Sequence, residues 1–337
     1  MKRVERALRV AAVASIGLCG CQGSESVGAS ASAPGSPPEP TPSATELRLA
    51  RGEYLVDHVG ICLYCHSERD WTAPGFPEVA NARGGGAVFP DEGVPGFVVS
   101  RNITPHALGD CTDEEIARAI REGMGCDGTR LFPAMPYHYF RAMADDDVAA
   151  VVAYLRTLEP IDNELPRTEV PEQVWATLPP HVPITEPVVA PDPSDPLAYG
   201  AYLATIGLCV ECHTPIDAQG VPIGELGFGG GRIFVGPWGT VASANLTPAP
   251  SGIPHYDEAL FRQVLRTCAV GARELNRLMP CEFYKGLSDA DMSALFAYLQ
   301  SLAPVDHSVS NVDEATPCAR CGVPHGLGRR NAPLDEG

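Results

Sequence analysis

Two five-residue runs carry the chemistry of this chain. Cys62-Leu63-Tyr64-Cys65-His66 and Cys209-Val210-Glu211-Cys212-His213 each place two thiols three positions apart, with an imidazole directly after the second. Thiols at that spacing can bond the two vinyl groups of a porphyrin. The adjacent histidine then becomes the proximal ligand to the iron, so each run reads as a haem c attachment site. A zinc pair would need a second ligand pair nearby, and a thioredoxin-like redox pair would need a βαβ setting that the surrounding text lacks. The sequence therefore predicts two covalently bound haem c groups, with His66 and His213 as iron ligands.

Each iron then needs a sixth ligand or an open site. The chain has six methionines. Met1 belongs to an N-terminal signal, Met143 and Met292 fall at apolar positions of helical patterns, and Met124 has no counterpart in the other half. Met135 and Met279 remain as axial ligands. Both precede proline, whose fixed φ and missing N–H favour a rigid loop that can aim a thioether inward.

The elements that must position these groups repeat. The first copy runs from Cys62-to-His66 through Asn102-Ile103-Thr104-Pro105 to Met135-Pro136, and the second from Cys209-to-His213 through Asn245-Leu246-Thr247-Pro248 to Met279-Pro280. After each Met the register is gap-free, ending in Ala153-Tyr154-Leu155 and Ala297-Tyr298-Leu299. Val148, Val151, Val152, Leu155 and Leu158 recur at helical spacing behind an acidic start, which predicts an amphipathic closing helix. A helical pattern also precedes each motif, at 51–55 and 199–203. Gly84-Gly85-Gly86 and Gly229-Gly230-Gly231 mark loops between. Asn102 and Asn245 sit in a fixed frame and read equally as polar contacts to a haem edge or as turn-forming side chains.

These residues resemble class I c-type cytochromes, and more closely the cytochrome subunits of bacterial membrane-bound alcohol and gluconate dehydrogenases. The likeness rests on Arg51-Gly52-Glu53-Tyr54-Leu55, Cys62 to His66, Asn102 to Pro105, Asp113-Glu114-Glu115, Arg121-Glu122-Gly123, Pro133-Ala134-Met135-Pro136-Tyr137 and the helix ending at Leu155. It implies an all-α chain of two tandem class I cytochrome c domains related by internal duplication. In that fold the first and last helices cross and the haem completes the core. Those subunits commonly carry three haem motifs, whereas this chain has two. Cys318-Ala319-Arg320-Cys321-Gly322 has glycine where the histidine of a third motif would stand, and reads as a local disulfide or a thiol pair. His325 beside it reads as a solvated tail histidine, metal binding being the less common alternative.

The expected organisation is a signal peptide at 1–21, a flexible linker at 22–45, a first domain at 46–166, a Pro-rich linker at 167–195, a second domain at 196–306 and a tail at 307–337. The signal has basic residues, an apolar run too short to span a bilayer, and Leu18-Cys19-Gly20-Cys21. That text resembles a lipoprotein processing site with Cys21 as the acylated residue. An ordinary cleaved signal is the alternative. Four cations and one carboxylate leave with residues 1–21, taking the formal charge from −18 to −21. This excludes nucleic acid as a partner class and suits either docking on a basic protein patch or simple solubility. Twelve cysteines in an exported chain imply an oxidising compartment on the periplasmic side. Cys268 and Cys281 bracket the Met279 loop, Cys111 and Cys126 sit in the corresponding region of the first domain, and both pairs are candidates for disulfides that steady the ligand loops. His58, His106, His138 and His255 lack repeated positions and read as surface or supporting residues.

The resulting expectation is a membrane-anchored one-electron carrier with no catalytic residues. It would take electrons from a dehydrogenase or other redox donor and pass them to a cytochrome or oxidase of the respiratory chain. Filled His/Met coordination at both irons favours transfer over substrate binding. A dihaem peroxidase-like enzyme, with one displaceable site, is the alternative. The near-equivalent Met-Pro loops argue against that asymmetry.

Overall fold

A computed structural model gives the structure of the chain and describes residues 41–89, 96–217 and 219–332. The anchor candidate Cys21 lies outside these residues. Helix α1 (Ala44–Tyr54) begins where Ser43 and Glu46 close a capping box, and it runs into one π-helical turn at Leu55–Val59. The first motif follows on α2 (Cys62–His66). A short antiparallel pair, β1 (Ala87–Val88) and β2 (Val99–Ser100), and the single turn α3 (Pro105–Leu108) lead to α4 (Asp113–Glu122). Thr112 caps α4 together with Glu115, acidic residues fill its first turn at the positive end of the helix dipole, and Gly123 at φ 68° stops it. The half ends with α5 (Tyr137–Phe140) and α6 (Asp145–Leu155). A connection carrying α7 (Glu172–Trp175) follows.

The second half repeats the order. Asp195 caps α8 (Pro196–Ile206) with Pro196 in the first turn, and α9 (Cys209–His213) carries the second motif. Next come the pair β3 (Ile233–Gly236) and β4 (Gly239–Ala242), then α10 (Glu258–Thr267). The pair β5 (Ala269–Val270) and β6 (Arg273–Glu274), α11 (Cys281–Tyr284) and α12 (Asp289–Ser301) complete it. Beyond them β7 (Ser310–Thr316) pairs with β8 (His325–Gly326) across a bulge. The described elements of ten or more residues are all helices, but the all-α expectation needs amending, because four two-stranded sheets occur among the described residues. Two of these sheets, β1–β2 and β3–β4, follow closely on the glycine triplets at 84–86 and 229–231. No described helix is long and apolar enough to cross a membrane.

In both halves the first helix crosses the last, α1 on α6 and α8 on α12. Glycine makes the approach possible. A methyl group at Gly52 would overlap the Ala150 carbonyl oxygen and lie 2.7 Å from its carbon and 2.8 Å from Tyr154 Cβ. At Gly200 it would overlap the Ala294 oxygen and lie 2.7 Å from that carbon and 2.8 Å from Tyr298 Cβ. The apolar stripe Val148, Val151, Val152, Leu155 and Leu158 is buried, as its spacing requires.

One continuous core joins the halves. Its polar seam has a two-fold pattern. Tyr54 Oη donates to Asp291 (2.5 Å) and accepts from the Ser288 N–H (2.9 Å), while Tyr202 Oη donates to Asp147 (2.6 Å) and accepts from the Ala144 N–H (3.1 Å). Tyrosine 54 thus reaches from the first half into the second, and Tyr202 makes the same bonds in return. Arg51 adds a bidentate pair to Asp147, both bonds 2.8 Å.

The segment between the halves is tied down along its length. Glu169 pairs with Phe97, Arg141 donates to the Val182 carbonyl (2.7 Å), Asp145 N–H donates to that of Val188 (2.9 Å), and Trp175 stacks edge-on against Phe132. The end of the chain is likewise packed. His325 is buried, contrary to the solvated tail histidine expected for it, because pairing of β8 with β7 turns it inward.

Candidate functional site

Each motif opens on a strained residue. Ile61 (φ 43°) and Leu208 (φ 58°) take the left-handed conformation that side-chain-bearing residues seldom adopt, immediately before the first cysteine. The turn they force starts a one-turn helix at the cysteine. Residues three apart on a helix are neighbours, so Cys62 with Cys65, and Cys209 with Cys212, share a face. Burial pushes the Cys62 and Cys209 thiols up to about 12 and Cys212 to about 11.

The histidines are aimed by the backbone. His66 Nδ1 lies 2.6 Å from the Arg101 carbonyl oxygen and His213 Nδ1 lies 2.7 Å from that of Ala244. A carbonyl only accepts, so Nδ1 carries the proton and the Nε2 lone pair is left available to a metal. Burial lowers both imidazole pKa values, the carbonyl bond opposing it, which favours the neutral form that binds metal. The histidine carbonyls are held too, by Gly86 N–H and Gly230 N–H at 2.8 Å. Both glycines have positive φ, and side chains there would collide with the segment carrying Asn102 or Asn245.

That segment explains the Asn-x-Thr frame. Asn102 Oδ1 accepts from Thr104 N–H (2.9 Å) and Oγ1 (2.8 Å), and its Nδ2 donates to the Ile161 carbonyl (2.7 Å). Asn245 does the same with Thr247 (2.8 and 2.7 Å) and Val305 (2.7 Å). Of the two readings the turn-forming one holds. Each asparagine shapes the turn that presents the histidine-binding carbonyl and fastens it to the chain leaving the closing helix.

Met135 and Met279 start matching turns. Tyr137 N–H reaches back to the Met135 carbonyl (2.8 Å) and Cys281 N–H to that of Met279 (2.7 Å), over Pro136 (φ −80°, ψ 46°) and Pro280 (φ −80°, ψ 55°). These are inverse γ-turns, for which proline's φ is preset. Both methionines are half-buried against the core. Met292 is buried within α12, and Met143 is buried two residues before α6. Of the two disulfides, Cys268–Cys281 spans the Met279 turn, whereas Cys111–Cys126 closes the stretch before the Met135 turn.

The halves meet at their motifs. Tyr64 packs edge-on against Phe283, and buried Arg69 lies over both rings, 4.9 and 5.3 Å from their centroids, while pairing with Glu282. Burial raises the Tyr64 hydroxyl pKa, with Cys65 and Cys212 adding to the effect. Burial likewise holds Tyr284 well above the ordinary range, with Cys209, Cys212 and Cys65 contributing. Thiols of both motifs thus flank one pair of tyrosines. On the far side Glu211 faces His138 (3.7 Å) and pairs with Arg232. Burial works to raise this carboxyl, but the His138 side chain and the Arg232 guanidinium hold it down at about 2.

His58 joins the seam through the Phe283 carbonyl (3.0 Å), and His106, His138 and His255 are exposed. The seam tyrosines Tyr54, Tyr64, Tyr202 and Tyr284 went unrecognised in the sequence, although Tyr54 and Tyr202 stand at matching places in the two pre-motif helices. The donor set fits a covalently held haem: two thiols on one face of a helical turn and a neutral imidazole with Nε2 left for iron.

No protein-family model matches the chain. It is 30% identical over 317 residues to the fructose dehydrogenase cytochrome subunit of Gluconobacter japonicus, covering 88% of this chain and 62% of that one. To the gluconate 2-dehydrogenase cytochrome c subunit of Pantoea cypripedii it is 29% identical over 296 residues, 79% of this chain and 62% of the relative. A dihaem cytochrome c-type protein of Cereibacter sphaeroides is 30% identical over 217 residues, 59% of this chain and 67% of its own length. The chain thus spans about three fifths of the dehydrogenase subunits it matches. With paired thiols, a backbone-oriented histidine and a Met-Pro turn in each half, the chain belongs to the haem c-binding cytochromes that include the dehydrogenase cytochrome subunits.

Proposed function

We propose that the chain is a dihaem one-electron carrier built from two tandem class I cytochrome c domains, 46–166 and 196–306. The observation that carries this reading is the repeated histidine geometry, with Nδ1 tied to a carbonyl and Nε2 left for iron in both halves. Bound haem c supplies a one-electron couple at each iron. Cys62, Cys65, Cys209 and Cys212 hold the porphyrins, His66 and His213 give the proximal nitrogens, and Met135 and Met279 give the sixth ligands. The Arg101 and Ala244 carbonyls keep the imidazoles in one tautomer and orientation. Met ligation fills the coordination sphere and raises the potential, which suits electron transfer and disfavours peroxide chemistry. The shared tyrosine seam favours transfer between the two sites within the chain.

The relatives' names support a dehydrogenase as donor; the acceptor in this reading is a cytochrome or oxidase of the respiratory chain. The acidic surface suits docking on a basic face of either. Lipidation at Cys21 would hold the carrier at the periplasmic face of a membrane. Replacing Cys21 by Ser should release the mature protein from membranes, and a processed variant that stays bound would remove the anchor from the scheme. For the haem sites, mass spectrometry of denatured protein should find two attached haems. Met135→Ala and Met279→Ala should each remove about half of the far-red sulfur-to-iron absorption and lower the potential of one haem. A wild-type protein with a single haem, or a variant whose spectrum is unchanged, contradicts the symmetric carrier.

A further inference from the structure

Outside the cytochrome sites, four side chains near the end of the chain converge on one point. His307, Cys318, Cys321 and His325 each offer a nitrogen or sulfur, and these atoms all lie within 4.8 Å of one another. All four residues are buried, at 0%, 4%, 3% and 2% exposure. His307 Nε2 is 3.3 Å from His325 Nε2 and 3.4 Å from Cys318 Sγ. A tetrahedral zinc centre has ligand–ligand edges of about 3.3 Å between nitrogens and about 3.5 Å between nitrogen and sulfur, from bonds of about 2.0 and 2.3 Å.

The proton arrangement points the same way. His307 Nδ1 is 3.0 Å from the Gly229 carbonyl and His325 Nδ1 is 2.9 Å from that of Gly326. Both Nδ1 atoms must donate, so both Nε2 lone pairs face each other in a dry interior, an arrangement that calls for a cation between them. Asn331 Nδ2 points at Cys318 Sγ (3.4 Å), a donor suited to a thiolate. Cys111–Cys126 and Cys268–Cys281 are closed as disulfides, whereas Cys318 and Cys321 are free thiols. Gly322, standing where a haem motif has histidine, turns the chain at φ 76° instead.

We infer that His307, Cys318, Cys321 and His325 form a structural zinc site. Binding releases two thiol protons and keeps both imidazoles neutral, so two thiolates balance the dication and the buried centre carries no net charge. Four protein ligands leave no position for substrate. The site fastens residues 307–331 onto the glycine loop of the second half. His307 bonds Gly229 and packs on Gly231, and Gly230 between them holds the His213 carbonyl. This inference does not depend on the electron-carrier reading.

The test uses the full-length haem-loaded protein, purified without chelator. Elemental analysis should find one zinc per chain. X-ray absorption at the zinc edge should give two sulfur ligands at about 2.3 Å and two nitrogens at about 2.0 Å. Denaturation with a chelator and a thiol reagent should release the zinc and expose two thiols, assigned to Cys318 and Cys321 by peptide mapping. Cys318→Ser/Cys321→Ser protein should retain haem and lack zinc. A Cys318–Cys321 disulfide, metal-free wild-type protein, or full zinc content in the double variant overturns the assignment. The wild-type measurements decide the matter even if the variant fails to fold.

Discussion

Replacing Gly52 by Ala sets two physical effects of opposite sign against each other. On an isolated helix the change stabilises by about 1 kcal/mol, because glycine carries the larger backbone entropy cost. At the α1–α6 crossing the added methyl overlaps the Ala150 carbonyl oxygen and lies 2.7 Å from a backbone carbon, where ordinary contact starts at 3.4 Å. The clash is with backbone and with Tyr154 Cβ, so no side-chain rotation relieves it, and the helices must part by about 0.7 Å measured along the carbon contact alone. A radial gap of that order forfeits about a quarter to a half of each dispersion contact along the crossing. Overpacking of this kind costs about 3 kcal/mol or somewhat more. The net loss should be about 2–3 kcal/mol, a fall in Tm of roughly 3–4 °C for a chain of this size. Gly200→Ala should behave alike, since its contacts with Ala294 and Tyr298 have the same lengths. Thermal unfolding of the haem-loaded protein by far-UV circular dichroism measures both. A Tm that is unchanged or raised in either variant would refute the close crossing as the reason for these glycines.

Tyr202→Phe should cost about 2 kcal/mol in denaturant unfolding, because it strips Asp147 of a buried donor and the Ala144 N–H of its acceptor; Tyr54→Phe should cost less, since Ser288 lies at an exposed edge. The Glu211 carboxyl, held at about 2 against an ordinary 4.5, contributes stability that is complete above pH 4.5 and is lost as the pH falls towards 2. With screening allowed for, that loss is about 2–3 kcal/mol, so Glu211→Gln should flatten the acid limb of the stability curve between pH 4.5 and 2, and an unchanged limb would place the acid sensitivity elsewhere.

Much of the geometry of the candidate site was legible because its signals are local. Cys62 to His66 is a five-residue motif on one helical turn, Met135-Pro136 a turn with a preset φ, and Val148 to Leu158 a helical stripe read within three turns. What remained hidden depends on contacts distant in the chain. Nothing near Tyr54 indicates that its hydroxyl meets Asp291, 237 residues later. The segment 167–195 reads only as a Pro-rich linker, and nothing within it indicates that its carbonyls and Trp175 find partners on the first half. The cluster at the end of the chain could have been suspected from Cys318-x-x-Cys321 with His325 four residues on. The fourth ligand, His307, lies before β7 and joins them only through that strand's return.

The halves also show which parts of the architecture are tightly constrained and which can be exchanged. At the end of α4, Gly123 takes the left-handed conformation, and any side chain there would strike the Tyr137 ring that follows Met135-Pro136. At the end of α10 the left-handed residue is Cys268, and its partner is Cys281, which follows Met279-Pro280 as Tyr137 follows Met135-Pro136. One half closes the space between helix end and methionine turn with an aromatic ring on a bare glycine, and the other with a covalent bond. The first half places its disulfide elsewhere, joining Cys111 after α3 to Cys126 after α4, across a closure worth about 3 kcal/mol of loop entropy. The γ-turns at Pro136 and Pro280 nevertheless agree within 10° in φ and ψ. The means of support differ while the supported geometry is kept, which is what the proposed ligand role of Met135 and Met279 requires.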